Sequence, residues 1–419
     1  MKQNIYFSIA IFFTCLFAGD IVAQEVKISA ELRPRYEMRH GYMTLVPDDV
    51  KAANFVSQRT RLNAFYANSN FKVYLSIQDV RVWGDVPQLN KSDVYGPSIH
   101  EAWGEAILSE KFSIKVGRQE IVYDDQRMFG SVGWAQQARS HDAAIFKIKA
   151  SDNHKVDVGL AYNANGESLF KQDYTVNSYK TFQYAWYHGD FNKFGLSFLA
   201  LNNGMPYIDS TEEQKVSFSQ TIGPRLTFTG DALSANAAFY YQGGKDKSHN
   251  ELSAIYFTIA ADFNITSKFS IGAGVEYLSG TDTNEEGGKN KSFTPFYGTN
   301  HKFNGWMDYF YVGAHNDNVG LTDIFVPFKF KSGKFSAAII PHVFLSAAEV
   351  SGFDKYLGIE NDLVFGYAPS KELILQCGYS TLVATETMGV IKNTSDYDNL
   401  NSWAWVMITF KPTFFEKKQ

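Results

Sequence analysis

Ten arginines are distributed unevenly through the 419 residues: all lie before residue 226, and nine fall between Arg33 and Arg139. A guanidinium is a planar, permanently charged fork that grips a carboxylate through two parallel hydrogen bonds. Its usefulness depends on where the backbone aims it. Arg33, Arg35 and Arg39 recur at even spacing beside Lys27, Glu31 and Glu37, and Arg59 and Arg61 stand in the same way beside Ser57 and Asn63. On an extended chain, residues two apart share a face, so each group forms one row. Two adjacent rows make a one-sided ladder that favours anions. The same side chains could instead stiffen a wall by pairing with Glu31, Glu37 and loop acids, and the two uses can coexist.

A second cluster, VGRQEIVYDDQRMFGSVGWAQQARSHDA at 116–143, leaves a strand and returns at Arg139. Its loop over 122–138 carries Asp124, Asp125, Arg127 and Trp134, and charge alternating with rings suits a segment folded inward to narrow a pore. A loop standing in solvent is the other reading. Strand parity leaves the direction of Arg118 and Asp142 open.

Other reactive residue types do not converge. Ser140, His141 and Asp142 are chain neighbours, and neighbours on a strand point to opposite faces. The sequence holds neither a GxSxG elbow nor an HExxH zinc motif. GGKDKS at 243–248 and GGKNKS at 287–292 lack the Gly-Lys-Ser/Thr step of a phosphate loop, since Gly-Lys is followed by Asp246 or Asn290. Asp317, Asp396 and Asp398 offer loop carboxylates for Ca²⁺, but no metal site is expected, and neither is a cofactor or enzymatic chemistry. His301 and Asp308 have no evident partner. Two cysteines, Cys15 and Cys377, make neither a disulfide framework nor a zinc site.

The elements that must position the arginines follow one pattern. From residue 26 onward the chain repeats segments of alternating apolar and polar residues, each ending in a turn. At 153–164, for example, Val156, Val158, Leu160 and Tyr162 oppose Lys155, Asp157, Gly159 and Asn163. Eighteen such segments run from 26–39 to 401–411. Short turn-forming links such as Asn68-Ser69, Ser109-Glu110 and Ser332-Gly333 alternate with longer loops. This predicts an all-β protein: a transmembrane antiparallel β-barrel of about 18 strands, with short periplasmic turns and long extracellular loops. A barrel of that size leaves an aqueous channel. Arginine facing lipid near the midplane would cost about 2–4 kcal/mol, so Arg33, Arg35, Arg59 and Arg61 are expected to line the lumen.

Composition agrees. Aromatic residues make up 16% of a chain whose net charge is −5 and whose mean hydropathy is −0.24. Girdles of rings at the two headgroup levels explain rings without hydrophobicity; Trp83, Trp103, Tyr123, Trp186-Tyr187, Tyr240-Tyr241, Tyr367 and Trp403 are the expected members. Mild acidity gives no reason to expect nucleic acid. Lys2, an apolar stretch from Ile5 to about Ala18 and the Ala23-Gln24 junction read as a secretory signal. The chain thus divides into a signal peptide at 1–23 and a barrel at 24–419. Pro34, Pro224, Pro327 and Pro341 fall inside expected strands and call for bulges or shifted boundaries.

The run GRQ…YDDQR…W…HDA, the strand motif RTRL, LSIQDVRVWG and the loop GTNHKFNGWMDYF together resemble the alginate export family of eighteen-stranded outer-membrane barrels. The resemblance implies a passive conduit for an anionic, uronate-type poly- or oligosaccharide, with a constriction involving Arg35, Arg59, Arg61, Arg81, Arg118, Arg127 and Arg139. A general or nutrient-uptake porin for small anionic solutes is the alternative. Either reading places the protein in the outer membrane of a Gram-negative bacterium, with the barrel assembly machinery and outer-membrane lipid as its partners.

Overall fold

The computed structural model describes residues 25–89, 96–176, 178–284, 288–310 and 319–418. The expected signal peptide and Asp317 lie outside them. The described strands are β1 (Glu25–His40), β2 (Ala53–Ala67), β3 (Phe71–Val82), β4 (Ser98–Ser109), β5 (Phe112–Gln119), β6 (His141–Lys149), β7 (His154–Tyr162), β8 (Thr181–Phe191), β9 (Phe194–Ile208) and β10 (Gln214–Thr229). They continue with β11 (Leu233–Lys245), β12 (Glu251–Asn264), β13 (Phe269–Leu278), β14 (Leu321–Phe325), β15 (Phe328–Ser332), β16 (Phe335–Leu345), β17 (Tyr356–Tyr367), β18 (Leu373–Ala384), β19 (Asn401–Phe410) and β20 (Thr413–Lys418). A short helix, α1 (Glu386–Ile391), sits between β18 and β19.

Neighbours in sequence pair antiparallel, and β1 pairs with β2 on one side and with β19 and β20 on the other. The sheet therefore closes. β14 and β15 both bridge β13 to β16, and β19 and β20 both pair with β1, so each couple is one wall strand with a break. Eighteen wall strands result, as the alternation predicts. Closure satisfies every ladder without leaving an edge, which is the condition for crossing lipid with strands.

The prolines fit because their missing N–H groups fall where the ladder is interrupted. Pairing of β1 with β19 skips Arg33 and Pro34, and pairing of β10 with β11 skips Gly223 and Pro224. Pro327 lies in the break between β14 and β15, where Val326 N–H reaches the Pro341 carbonyl at 3.1 Å.

Outward faces carry Leu62, Val116, Phe198, Ile259, Phe365 and Val406, all exposed. The rim of short turns carries Phe71, Phe191, Phe194, Phe263, Phe269, Phe335 and Phe410. Such a belt makes this an outer-membrane barrel. Most of the rings expected in the girdles are elsewhere: Trp186, Tyr240 and Trp403 are buried inside the barrel, and Trp103 faces the lumen, with the Lys115 ammonium 3.9 Å above its ring. Phenylalanine forms the short-turn rim, while the Tyr and Trp polar tips find partners inside, where water and polar groups are available.

Face assignment makes a direct prediction. Leu62→Arg, on the outward face of β2, costs about 2–4 kcal/mol in urea unfolding from lipid vesicles, whereas Asn63→Arg, one residue on and inward, costs far less.

Candidate functional site

In β1 the buried residues are Glu31, Arg33, Arg35 and Glu37, and the exposed ones between them are Leu32 and Tyr36. In β2 Ser57 and Arg59 are buried with Arg61 on the same face. The register sets Arg33 directly across from Arg59, Glu31 across from Arg61, and Arg35 across from Ser57. The ladder expected from spacing is present and inward-facing, but its donors are engaged. The β5–β6 loop runs across the lumen and lays its 133–137 backbone against them. Arg33 Nη1 donates to the Gly133 carbonyl at 2.7 Å, and its Nε and Nη2 both reach Gln136 Oε1, at 3.2 and 2.9 Å. Arg35 Nη1 donates to the Trp134 carbonyl at 2.7 Å, with its guanidinium carbon 4.0 Å from the Trp134 ring centroid. Arg59 reaches the Gln136 carbonyl at 3.3 Å, and Gln78 the Gln137 carbonyl at 3.0 Å. Carboxylates supply the remaining contacts: Glu31 on Arg59 at 2.5 Å, and Glu37 on both Arg35 and Arg39 at 2.8 Å.

A neighbouring stretch of wall, joined to β1 through β18 and β19, is acidic. Glu276, Asp323, Glu360 and Asp362 project inward from β13, β14 and β17 with His342 of β16, all buried. They hold a second inward segment, residues 297–309 of the β13–β14 loop, through its donors. Trp306 N–H donates to Asp362 at 3.0 Å and Met307 N–H to Glu360 at 2.8 Å, while the Asn304 amide contacts Glu276. Gly305 makes this approach feasible: its φ is +79° and an added Cβ would lie 2.6 Å from the Glu360 carboxylate. Outside the strands, burial lowers the Lys392 ammonium to about 8; it donates to the Tyr309 carbonyl and anchors the same loop. Burial also lowers Lys302, against the pull of Asp125.

The two loops are joined to each other. Gly130 N–H donates to the Tyr297 carbonyl at 2.8 Å, Thr299 Oγ1 donates to Gln126 Oε1 at 2.8 Å, and the Trp134 ring stacks on His301 at 4.7 Å. Above them, toward the long loops, is a cavity of about 450 Å³ containing Arg35, Arg39, Tyr42, Phe55 and Trp134. Below them, toward the short turns, cavities of about 650 and 460 Å³ open, the larger lined by Lys72, Lys147, Lys155, Glu105 and Asp157.

Not every expected arginine is in this arrangement. Arg81 pairs in register with Gln58, and its partner Asp79 with Thr60, which places both on the face opposite to Arg59. The Arg81–Asp79 contact of 2.6 Å is therefore on the outer wall. Arg118 shares a face with exposed Val116, and opposite it in register stands Asp142, 2.9 Å away. By strand parity Arg81 and Arg118 both face away from the Arg59 row, although Arg81 borders the upper cavity. Arg127 is inside but fully buried, 3.1 Å from Glu276 and donating to Asn300 and Asn304 at 3.1 and 2.8 Å; it ties one loop to the acidic wall and the other loop. Arg139 donates to the Gly298 carbonyl at 3.0 Å and also links the loops. The spacing of the row did not reveal Trp134, Gln136, Asn304 or the acids; the available signal was charge on the inward faces of β13, β14 and β17. His301 and Asp308 do have partners, namely each other at 2.9 Å and Tyr42. His100, Glu101 and Glu120 bring ligand atoms within 4.8 Å of one another, but His100 already pairs with Glu120 at 2.8 Å and Arg61 stands 3.9 Å from the same carboxylate, a poor setting for a cation.

No family description and no curated sequence matches this chain. In structure it is similar to OccK11 (OpdR) of Pseudomonas aeruginosa, with a TM-score of 0.61 and 11% identity over 93% of this chain and 96% of that one. OccAB4 of Acinetobacter baumannii gives 0.63 and 12% over 94% and 100%, and OccAB1 of the same organism 0.64 and 11% over 93% and 97%. These likenesses establish the fold. They also overturn the alginate-export resemblance, since the neighbouring barrels are Occ proteins. The motifs that suggested it, YDDQR…W and NHKFNGW, belong to the two inward loops and their clamps.

Burial of the Arg127–Glu276 pair gives the second prediction. Arg127→Met leaves an unpaired buried carboxylate and costs about 3–5 kcal/mol in urea unfolding, and adding Glu276→Gln restores most of the loss.

Proposed function

We propose that the barrel is a passive uptake porin for small carboxylate-bearing solutes, without chemistry or cofactor. The observation that carries this reading is a line of inward cations along one wall. Arg39 stands at the upper cavity, Arg61 lies below the clamped arginines, and Lys115, Lys72 and Lys147 lead into the lower one. Arg61 is the notable rung: Nε donates to Gln78 at 3.0 Å, but among the described residues its buried Nη2 has no hydrogen-bond partner. An unsatisfied guanidinium N–H is costly, so this side chain, still 12% exposed, is under-neutralised and available to pair with a passing carboxylate.

The lysines are mobile point charges shared with Glu105, which lies 3.6 Å from Lys72 and 3.4 Å from Lys147. Weak sites in series let a solute enter and also leave. Chambers of about 450 and 650 Å³ match drug-sized ligands. The neighbouring Occ barrels are eighteen-stranded porins, which supports uptake of small solutes over passage of a polymer. Outer-membrane lipid and the barrel assembly machinery remain the partners this reading requires.

Reversal potentials in planar bilayers test the proposal. Arg61→Gln lowers succinate-over-potassium selectivity by about tenfold, the equivalent of one charge-assisted hydrogen bond of ~1.4 kcal/mol, and Lys147→Gln acts in the same direction. Unchanged selectivity in both variants rejects it.

A further inference from the structure

The contacts on Arg33 have a particular form. Both Nε and Nη2 converge on one oxygen, Gln136 Oε1, at 3.2 and 2.9 Å, while Nη1 takes the Gly133 carbonyl at 2.7 Å. Those two donors are the edge that takes both oxygens of a carboxylate through parallel bonds, and here one amide oxygen occupies it. Gln136 is the neutral isostere of glutamate, is buried, and is set in place by its own amide, which donates to Ser57 Oγ at 3.0 Å. Arg35 and Arg59, besides their pairs with Glu37 and Glu31, also take neutral acceptors from the same loop, the carbonyls of Trp134, Ala135 and Gln136. Neutral acceptors on a guanidinium are weaker than ionised ones, roughly by half. The loop therefore occupies the ladder with ligands that a carboxylate can displace.

The same loop divides the lumen. Val132 and residues 134–137 line the upper cavity, and Val122, Tyr123 and Asp124 line the larger lower one. Trp134 reinforces the closure, wedged between the Arg35 guanidinium at 4.0 Å, the His301 ring at 4.7 Å and the Trp405 ring at 4.8 Å. We infer that residues 133–137 are an internal surrogate ligand, with Gln136 in the role of the solute carboxylate, and that solute carboxylates open the channel by displacing them from Arg33, Arg35 and Arg59. This rests on the carboxylate-porin reading and adds a gate to it. Specificity then resides in the exchange itself: a neutral analogue cannot outcompete the carbonyls, whatever its size.

Single-channel recording of the full barrel in planar bilayers tests the gate, with sodium succinate and uncharged succinamide as probes at constant ionic strength. In the native protein the open fraction rises and saturates with succinate and ignores succinamide. Gln136→Glu, which supplies an ionised acceptor of the same shape, raises the half-opening succinate concentration about tenfold, an amount equal to ~1.4 kcal/mol. Gln136→Met lowers that concentration, and Trp134→Ala is open in chloride alone. Heat-modifiable electrophoretic mobility verifies that each variant is folded. A native open fraction independent of succinate overturns the inference, as does a Gln136→Glu variant that opens as readily as the native protein. The reversal potential from the same recordings reports carboxylate selectivity separately, so a selective but ungated pore would discard the gate and keep the porin.

Discussion

Arg33 and Arg59 face each other across the first hairpin, and like charges directly opposite on a sheet repel. Both are also buried, so each has lost much of its hydration. A pair of this kind is tolerable only if acceptors crowd around it. Glu31 supplies one set, and the backbone of residues 133–136 the other. The position of the β5–β6 loop follows from that need: three guanidiniums, Arg33, Arg35 and Arg59, face the lumen where a chain of carbonyls reaches them.

The acidic stretch of wall over β13–β17 solves the complementary problem. Buried carboxylates need donors, and the β13–β14 loop offers backbone N–H groups at Trp306 and Met307. One wall thus binds the carbonyl side of a peptide segment and the other binds the amide side of a second. The loops meet midway through Gly130, Tyr297 and Thr299, and Arg127 and Arg139 cross from one to the other. Net charge conceals all of this. A total of −5 says little about a lumen in which basic and acidic stretches of wall lie a few strands apart and most charges have a designated neighbour.

Period-two alternation in long segments made the barrel legible, because a strand with water on one side and lipid on the other has no alternative pattern. For the same reason Arg33, Arg35, Arg59 and Arg61 could be assigned inward from sequence. Arg81 and Arg118 came in through resemblance to another family, with the parity of Arg118 left open by the sequence; in the strands Gln78 and Lys115 are inward, and each arginine lies three residues further on. The rings misled for a different reason. Tyr and Trp at strand ends suit either a headgroup girdle or a packed lumen, and only the fold of the two loops decides, since these provide the surface against which Trp186, Tyr184 and Phe182 pack. Contacts such as Tyr42 with Asp308, 266 residues apart, leave no local trace at all.

A lumen filled by its own loops shifts the source of selectivity from width to chemistry. In a wide, water-filled barrel, charge on the wall biases which ions enter but does not exclude a neutral solute of equal size. Here the passage lies between peptide segments held by hydrogen bonds, so a solute must either fit alongside them or replace them. Replacement favours groups that bind a guanidinium better than a carbonyl does, and ionised carboxylates are the simplest such group. Arg33 can be satisfied either by Gln136 or by an incoming anion. Its burial is tolerable in both states, and that equivalence is what would let a folded loop move without stranding a charge.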